Sequence, residues 1–452
     1  MTERSSGRLS VLGDTWRTQL WPIPALSVLL AVVLGIGLPR LDSRLGGNLP
    51  RAVADYLFSG DPQAARTMLS VVAGSLITAT SLIFSLTVVA LQLASSQYSP
   101  RLLRTFAGDR VVHATLAVLL GTFTYTLTVL RTIRDAVDGR GGQVPQVSVT
   151  LVYLLALASV MALVGFLAHV TRQIRVETIL RDVHAESSGT LRRTLGAEPS
   201  PVPADLPVPP GYGTTLVCGH GSGFLTSIDE AELLAAAVDL GAVVVLDCSP
   251  GDSLIAGTPI ATAWPASGRV LLDDPEELIR RTAAAVHTGI ERTAAQDPSF
   301  GLRQIVDVAV RALSPGINDP TTAVHALGHA CALLVEAAGR NTNSKLLRDD
   351  EGVVRVVLPR PDFAALLAVA VDQPRRYGAQ EPHVLVRLYA LLREVAWVAS
   401  RPEQRQAVAD QLLRLDATAD RPDREPTDRM RLRELSRAVR EALDGRWVTA
   451  AR

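Results

Sequence analysis

The chain is expected to fold as a membrane all-α domain of about four transmembrane helices, followed by a mostly helical α+β soluble domain with a small β-rich module. Three observations predict this. Long stretches lack Asp, Glu, Lys and Arg: between Arg17 and Arg40, Arg66 and Arg101, Arg110 and Arg131, and Arg140 and Arg172. A proline-rich run at 198–210 then breaks the chain. Beyond it, short apolar strands with turn signals give way to helices with capping residues. A helix needs about 20 mostly apolar residues to cross a hydrocarbon core of roughly 30 Å, and each of the four gaps meets that requirement. Residues 206–228 are also uncharged, but Leu206-Pro207-Val208-Pro209-Pro210-Gly211 cannot run as one helix.

The first span covers 20–38, with Pro22 and Pro24 at its start, where proline is tolerated. More spans follow it, so it reads as a retained anchor rather than a cleaved signal peptide. The second covers 68–95 and stays uncharged through Pro100, about 50 Å of helix, which must tilt or project from the bilayer. The third covers 111–130 and the fourth 147–170, closing a transmembrane domain at 1–171. Residues 172–211 read as a polar helix, with Glu177 and Arg181 one turn apart, leading into a stiff proline-rich linker. A β-rich module at 212–268 takes strands at 214–218, 223–227, 242–247 and 258–263, with a helix at 229–240. The helical domain at 269–452 starts at the cap Asp274-Pro275 and continues with helices near 300–313, 321–338, 363–372, 382–400, 402–416 and 428–444.

Composition excludes several functions. Basic and acidic side chains balance at 45 each, which gives no bulk attraction to nucleic acid. The three cysteines, Cys218, Cys248 and Cys331, form neither a disulfide framework nor a zinc pattern and favour a reducing compartment. Lys345 is the sole lysine, so P-loop, Schiff-base and lipoyl-lysine chemistry have almost no candidate. Arginines flank both sides of the spans nearly equally, and the unpaired cysteines tip the assignment toward both termini in the cytoplasm.

The most informative pattern lies on the second span. Thr78, Ser81, Ser85, Gln92, Ser96 and Ser99 fall within about 60° of one another on a helical wheel. Such a stripe must face protein or water, as a packing seam or as the lining of a path for a small solute or ion. Arg101 and Arg104 follow Pro100, where the helix should stop, and are read as headgroup contacts or an anion-attracting vestibule. Thr115, Thr122 and Thr126 share a face of the third span, read as packing. No Asp, Glu, Lys or Arg lies inside a span, which argues against a proton-coupled pump or a voltage sensor.

The densest motif beyond the spans is Ser314-Pro315-Gly316-Ile317-Asn318-Asp319-Pro320. It reads as an interhelix turn in which Asp319 caps the next helix and Pro320 fits its first turn; a ligand site at that helix N-terminus is the alternative. His325 and His329, one turn apart, lack the Glu of a zinc-protease motif, so no metal is expected. Gly219-His220-Gly221-Ser222-Gly223 reads as a turn, and no G-x-S-x-G elbow is present. No cofactor and no enzymatic activity are expected.

The run from Leu86 to Arg101 and the stretch Ala312-Leu313-Ser314-Pro315-Gly316-Ile317-Asn318-Asp319-Pro320 resemble the signatures of a bacterial predicted-membrane-protein family, domain of unknown function 2254. Ser222-Gly223-Phe224-Leu225, Ile228-Asp229, Pro250-Gly251-Asp252 and Gln296-Asp297 fit the same pattern. The resemblance implies a multi-pass protein of the bacterial inner membrane and brings no established activity. Pro250 to Pro259 also resembles the turn of a biotinyl/lipoyl-like module, without a lysine to modify. The expectation is a homo-oligomeric, channel- or transporter-like protein in the lipid bilayer. Its rival is a membrane-anchored sensor or scaffold whose cytoplasmic domain binds a ligand or partner.

Overall fold

A computed structural model describes residues 22–45, 57–97, 109–133, 144–173, 175–197, 207, 213–217, 219, 221–266 and 271–448. The chain forms two compact units, residues 1–175 and 176–452. The proline-rich linker other than Pro207, together with Cys218 and His220, lies outside the described residues.

The N-terminal unit consists of α1 (Pro22–Leu45), α2 (Pro62–Gln97), α3 (Arg110–Leu130) and α4 (Gln146–Gln173). All four are long and apolar enough to cross a membrane, with mean hydropathy of 2.1, 1.9, 1.4 and 2.5 in their apolar windows. The least apolar, α3, packs against the other three. Its buried residues include Thr115, Leu119, Thr122, Tyr125, Thr126 and Val129. Small residues let α1 approach it closely: a Cβ placed on Gly35 would stand 2.7 Å from the Thr128 Cβ. Ser159 of α4 donates to the Thr122 hydroxyl at 3.2 Å. Leu26, Leu29, Leu30 and Val33 of α1 and Leu154, Leu157, Met161 and Val164 of α4 point outward. That arrangement suits a lipid solvent, where helices bury small and polar contacts and expose alkyl chains.

Two helix ends differ from the sequence expectation. α1 runs past Pro39 to Leu45. This carries the buried Asp42 to the start of α4, where its carboxylate accepts from the N–H groups of Val147 (3.0 Å) and Ser148 (3.4 Å). A charge after an apolar run therefore belongs to the helix, because it satisfies donors at another helix's N-terminus. α2 begins at Pro62, not near residue 68, because Asp61 accepts from the Ala64 N–H at 2.7 Å. Arg66, in its second turn, donates to the Ile133 carbonyl at 3.1 Å.

The C-terminal unit opens with α5 (Val176–Thr194), the expected polar helix. It buries Ile179, Leu180, Val183 and Leu191 and packs against α8 (Phe300–Ala312) and α9 (Pro320–Ala338), so it is part of this unit's core. A five-stranded sheet has the order β1-β5-β3-β8-β7, from β1 (Thr214–Val217), β3 (Ala242–Leu246), β5 (Pro259–Pro265), β7 (Lys345–Arg348) and β8 (Val354–Leu358). Its pairs are antiparallel except β3 with β8, where Val244 stands opposite Val356. A three-stranded antiparallel sheet joins β4 (Ser253–Leu254), β2 (Gly223–Ile228) and β6 (Val286–Gly289). α6 (Glu230–Asp239) packs on β3 and β8, and α7 (Pro275–Ala285) packs on α6. β6, β7 and β8 come from the stretch expected to be helical. Each is only four or five residues long, too short to show an alternation period by itself.

The remaining helices are α10 (Phe363–Tyr377), α11 (Pro382–Val398), α12 (Pro402–Ala419) and α13 (Pro426–Leu443), close to their expected positions. Asp274, Asp319 and Asp362 cap α7, α9 and α10 with side-chain hydrogen bonds. α10 continues through Pro374, past its expected end at 372.

Candidate functional site

The sequence directs attention first to α2. Its inward side is formed by Ala65, Leu69, Ala73, Leu76, Thr80 and Ile83, all buried. At about 100° per residue these positions centre on the side of the helix opposite the polar stripe. Thr78, Ser81, Ser85 and Gln92 are accordingly all exposed. The structure lengthens the stripe, because Thr67, Ser70 and Gly74 are exposed on the same side. A Cβ on Gly74 would meet nothing within 4 Å. The Ser75 and Thr78 hydroxyls donate to the carbonyls of Val71 (2.8 Å) and Gly74 (3.0 Å) in their own helix. The backbone of Ser96 lies within α2, but its side chain, and Ser99, Arg101 and Arg104 entirely, lie outside the described residues.

A second polar group was missed by a reading confined to Asp, Glu, Lys and Arg inside the spans. Asp109 caps α3, accepting from the Val111 N–H at 2.8 Å, and its other oxygen lies 2.5 Å from His169 Nε2 on α4. One turn along α3, His113 is buried, and its Nε2 has no partner among the described residues. The available signal was two imidazoles near the ends of otherwise uncharged stretches.

In the C-terminal unit, Ser314-Pro315-Gly316-Ile317-Asn318-Asp319-Pro320 forms the turn between α8 and α9. The N–H groups of Ile317 and Asn318 reach the Ser314 carbonyl at 3.0 and 2.9 Å, and Asp319 N–H reaches the Ala312 carbonyl at 2.8 Å. Asn318 takes φ 49°, in the left-handed region that Asn tolerates better than most residues. The Thr322 hydroxyl and N–H donate to Asp319 at 2.6 and 3.1 Å and hold its carboxyl below the ordinary value, the hydroxyl contributing most. Pro315, Gly316, Ile317 and Asn318 are exposed around this turn. Turn and cap geometry thus accounts for Asn318, Asp319 and Pro320 in place.

His329 packs edge-on to His184 of α5 with ring centroids 5.3 Å apart; burial first, then His184 and His325, lower its pKa. Among the described residues, no three or more His, Cys, Asp or Glu side chains converge as a metal ligand set. Cys331 is buried and donates to Glu394 Oε2 at 2.9 Å; burial, reinforced by that carboxylate, pushes the thiol up to about 12. A thiol so placed stays protonated near neutral pH and is a poor nucleophile.

The sequence pattern of a family described as predicted membrane protein (DUF2254) matches residues 17–394. An uncharacterized protein of Mycobacterium bovis is 35% identical over 430 residues, covering 93% of this chain and 80% of its own length. An uncharacterized protein of Mycobacterium tuberculosis gives the same identity and coverage. No solved structure matches the chain.

Proposed function

The chain belongs to the DUF2254 family of predicted membrane proteins, and on that premise we propose that it is a homo-oligomeric, channel- or transporter-like protein of the bacterial inner membrane. Copies of α2 line its path for a small solute or ion. One observation carries the reading: the Ser, Thr and Gln stripe on α2 lies opposite the side that packs within the chain. In a bilayer, polar side chains belong against protein or water. With the chain's own helices on the other side, the cover is a second copy, water, or both. In this reading the C-terminal unit is cytoplasmic and assembles or gates the path.

The test is flux of potassium, chloride and glycerol in vesicles reconstituted with the full chain. Replacing Ser81, Ser85 and Gln92 with Leu should abolish flux while light scattering shows an unchanged assembly. Undiminished flux in the triple variant would falsify the path. A second reading, a membrane-anchored sensor or scaffold, draws support from Ser75 and Thr78. Their hydroxyls are satisfied by their own helix, as a dry packing seam requires. It predicts no flux in the wild type and dissociation of the assembly in the triple variant.

A further inference from the structure

The C-terminal unit holds a cavity of about 270 Å³ that is independent of the α2 reading. Its lining brings together Arg193 at the end of α5, Glu230 at the start of α6, Lys345 on β7 and Arg360 just after β8. Three cations from separate segments thus face one space with one carboxylate. Two already have countercharges. Lys345 pairs with Glu230. Arg193 donates to the Thr190 hydroxyl at 2.9 Å and lies near Glu186, whose carboxyl is raised by burial against the pull of Arg193. Arg360 has no hydrogen bond or ion pair among the described residues, and burial lowers its pKa, with Glu230 acting only at a distance. Arg360 is half-buried, so its guanidinium is partly drawn out of water without a protein partner, which is unfavourable. An anion in the cavity offsets that cost.

The walls are built before any ligand arrives. Arg360 stands between Pro359 and Pro361, whose rings restrict the backbone on both sides of it. Another wall is the loop through Ala295, Gln296 and Pro298. The Gln296 amide locks that loop to β2, accepting from the Ile228 N–H at 2.9 Å and donating to the Ile228 carbonyl at 3.2 Å. Asp297, 1% exposed, accepts from Arg292 at 2.5 Å and from the Ser299 hydroxyl at 2.7 Å. Gly251 packs on this pair with φ 100°, and a Cβ there would stand 2.3 Å from both Asp297 Oδ2 and Arg292 Nη2. Pro250-Gly251-Asp252 and Gln296-Asp297, conspicuous in the sequence, therefore meet at one rim of the cavity.

We propose that this cavity binds a small phosphomonoester, with Arg360 as its principal anchor and Arg193 and Lys345 as flanking donors. Donors approaching from three segments suit the three terminal oxygens of a phosphoryl group better than the two of a carboxylate. Phosphate alone leaves much of the space unfilled. Ile228, Ala295, Leu358 and the prolines 250, 298, 359 and 361 offer an apolar surface for the organic part.

Calorimetric titration of the full chain in detergent with phenyl phosphate, inorganic phosphate, benzoate and phenol tests this. Phenyl phosphate should bind at roughly millimolar concentration or below, tighter than inorganic phosphate, with benzoate weaker and phenol silent. Arg360→Gln, checked for an unchanged circular dichroism spectrum, should weaken phenyl phosphate binding by roughly 10- to 100-fold. Arg360→Lys, which keeps the charge, should retain part of it. Benzoate binding as tightly as phenyl phosphate overturns the phosphoryl assignment. Affinity that survives Arg360→Gln and Arg360→Lys unchanged, or heat reproduced by potassium chloride at equal ionic strength, overturns the site, as does silence from both phosphates. If neither Arg360 variant folds, loss of the phenyl phosphate signal in Lys345→Gln decides for the site, and its retention against it.

Discussion

α2 and α3 are packed together, both carry rows of Ser and Thr, and they turn those rows in opposite directions. On α3, Thr115, Thr122 and Thr126 are buried, and Thr122 accepts from Ser159 of α4. On α2, Thr78, Ser81 and Ser85 are exposed opposite the packed side. The residue types are nearly the same, so composition does not assign the role; what differs is where the apolar residues of each helix lie. α3 has neighbours on several sides and brings its hydroxyls inside with it. α2 spends Ala65, Leu69, Ala73, Leu76 and Ile83 on its chain contacts, leaving its stripe exposed, with the Thr78 hydroxyl bonded only to its own helix. The C-terminal unit follows the α3 pattern, with buried polar groups such as Asp297 partnered within the chain.

If partnership inside the chain is what separates these groups, the loss of fold stability on substitution must track it. The largest effect falls on Asp297→Ala, which strands Arg292, only 16% exposed, without its carboxylate. Urea unfolding should show a loss of about 3–5 kcal/mol, and a loss under 1 kcal/mol would end the argument that in-chain pairing dominates there. Next comes a contrast between two spans. Thr122→Leu overfills the contact with Ser159 and should cost about 1–3 kcal/mol in a detergent unfolding assay. Ser81→Leu on α2 should change the stability of the single chain by less than about 0.5 kcal/mol. Equal losses in these two variants would show that the stripes do not differ in the way proposed.

Among the groups partnered within the chain, the smallest effect belongs to the cap of α9. Asp319→Ala should cost about 1 kcal/mol at neutral pH. The folded carboxyl sits below the ordinary aspartate value, so its contribution is complete above that ordinary value and is lost as pH falls through the lower folded one. The wild type and the variant should therefore converge in urea unfolding at strongly acidic pH. A gap that stays constant with pH would mean that the cap does not act through its charge.

Much of the architecture was legible because two solvents impose different rules. Charge-free stretches located α3 to within one residue and α4 to within three at its end. The same criterion cut α1 and α2 short, since Asp42 and Arg66 are charges that find partners elsewhere in the unit, at the start of α4 and just past the end of α3, and remain helical. Cap signals such as Asp274-Pro275 and Asp319-Pro320 marked helix starts in the C-terminal unit because capping is a local interaction. β7 and β8 were hidden for other reasons: they form a short hairpin of four- and five-residue strands that show no period, and the other partner of β8, β3, lies more than a hundred residues away in sequence. The α2 stripe could be read from periodicity, but its outward direction could not, because that depends on which neighbours α2 takes. The cavity around Arg360 left no motif of its own, as its lining comes from several well-separated segments.

The carboxylate at Asp42 has a consequence for how the molecule is made. Spans leave the ribosome in order, so the first is complete long before the turn of α4 that satisfies Asp42 has been synthesised. Until Val147 and Ser148 arrive, that carboxylate lacks these two donors and is left to water at the bilayer edge. The start of α4 thereby completes the end of α1, and a chain truncated before it leaves that carboxylate without these partners.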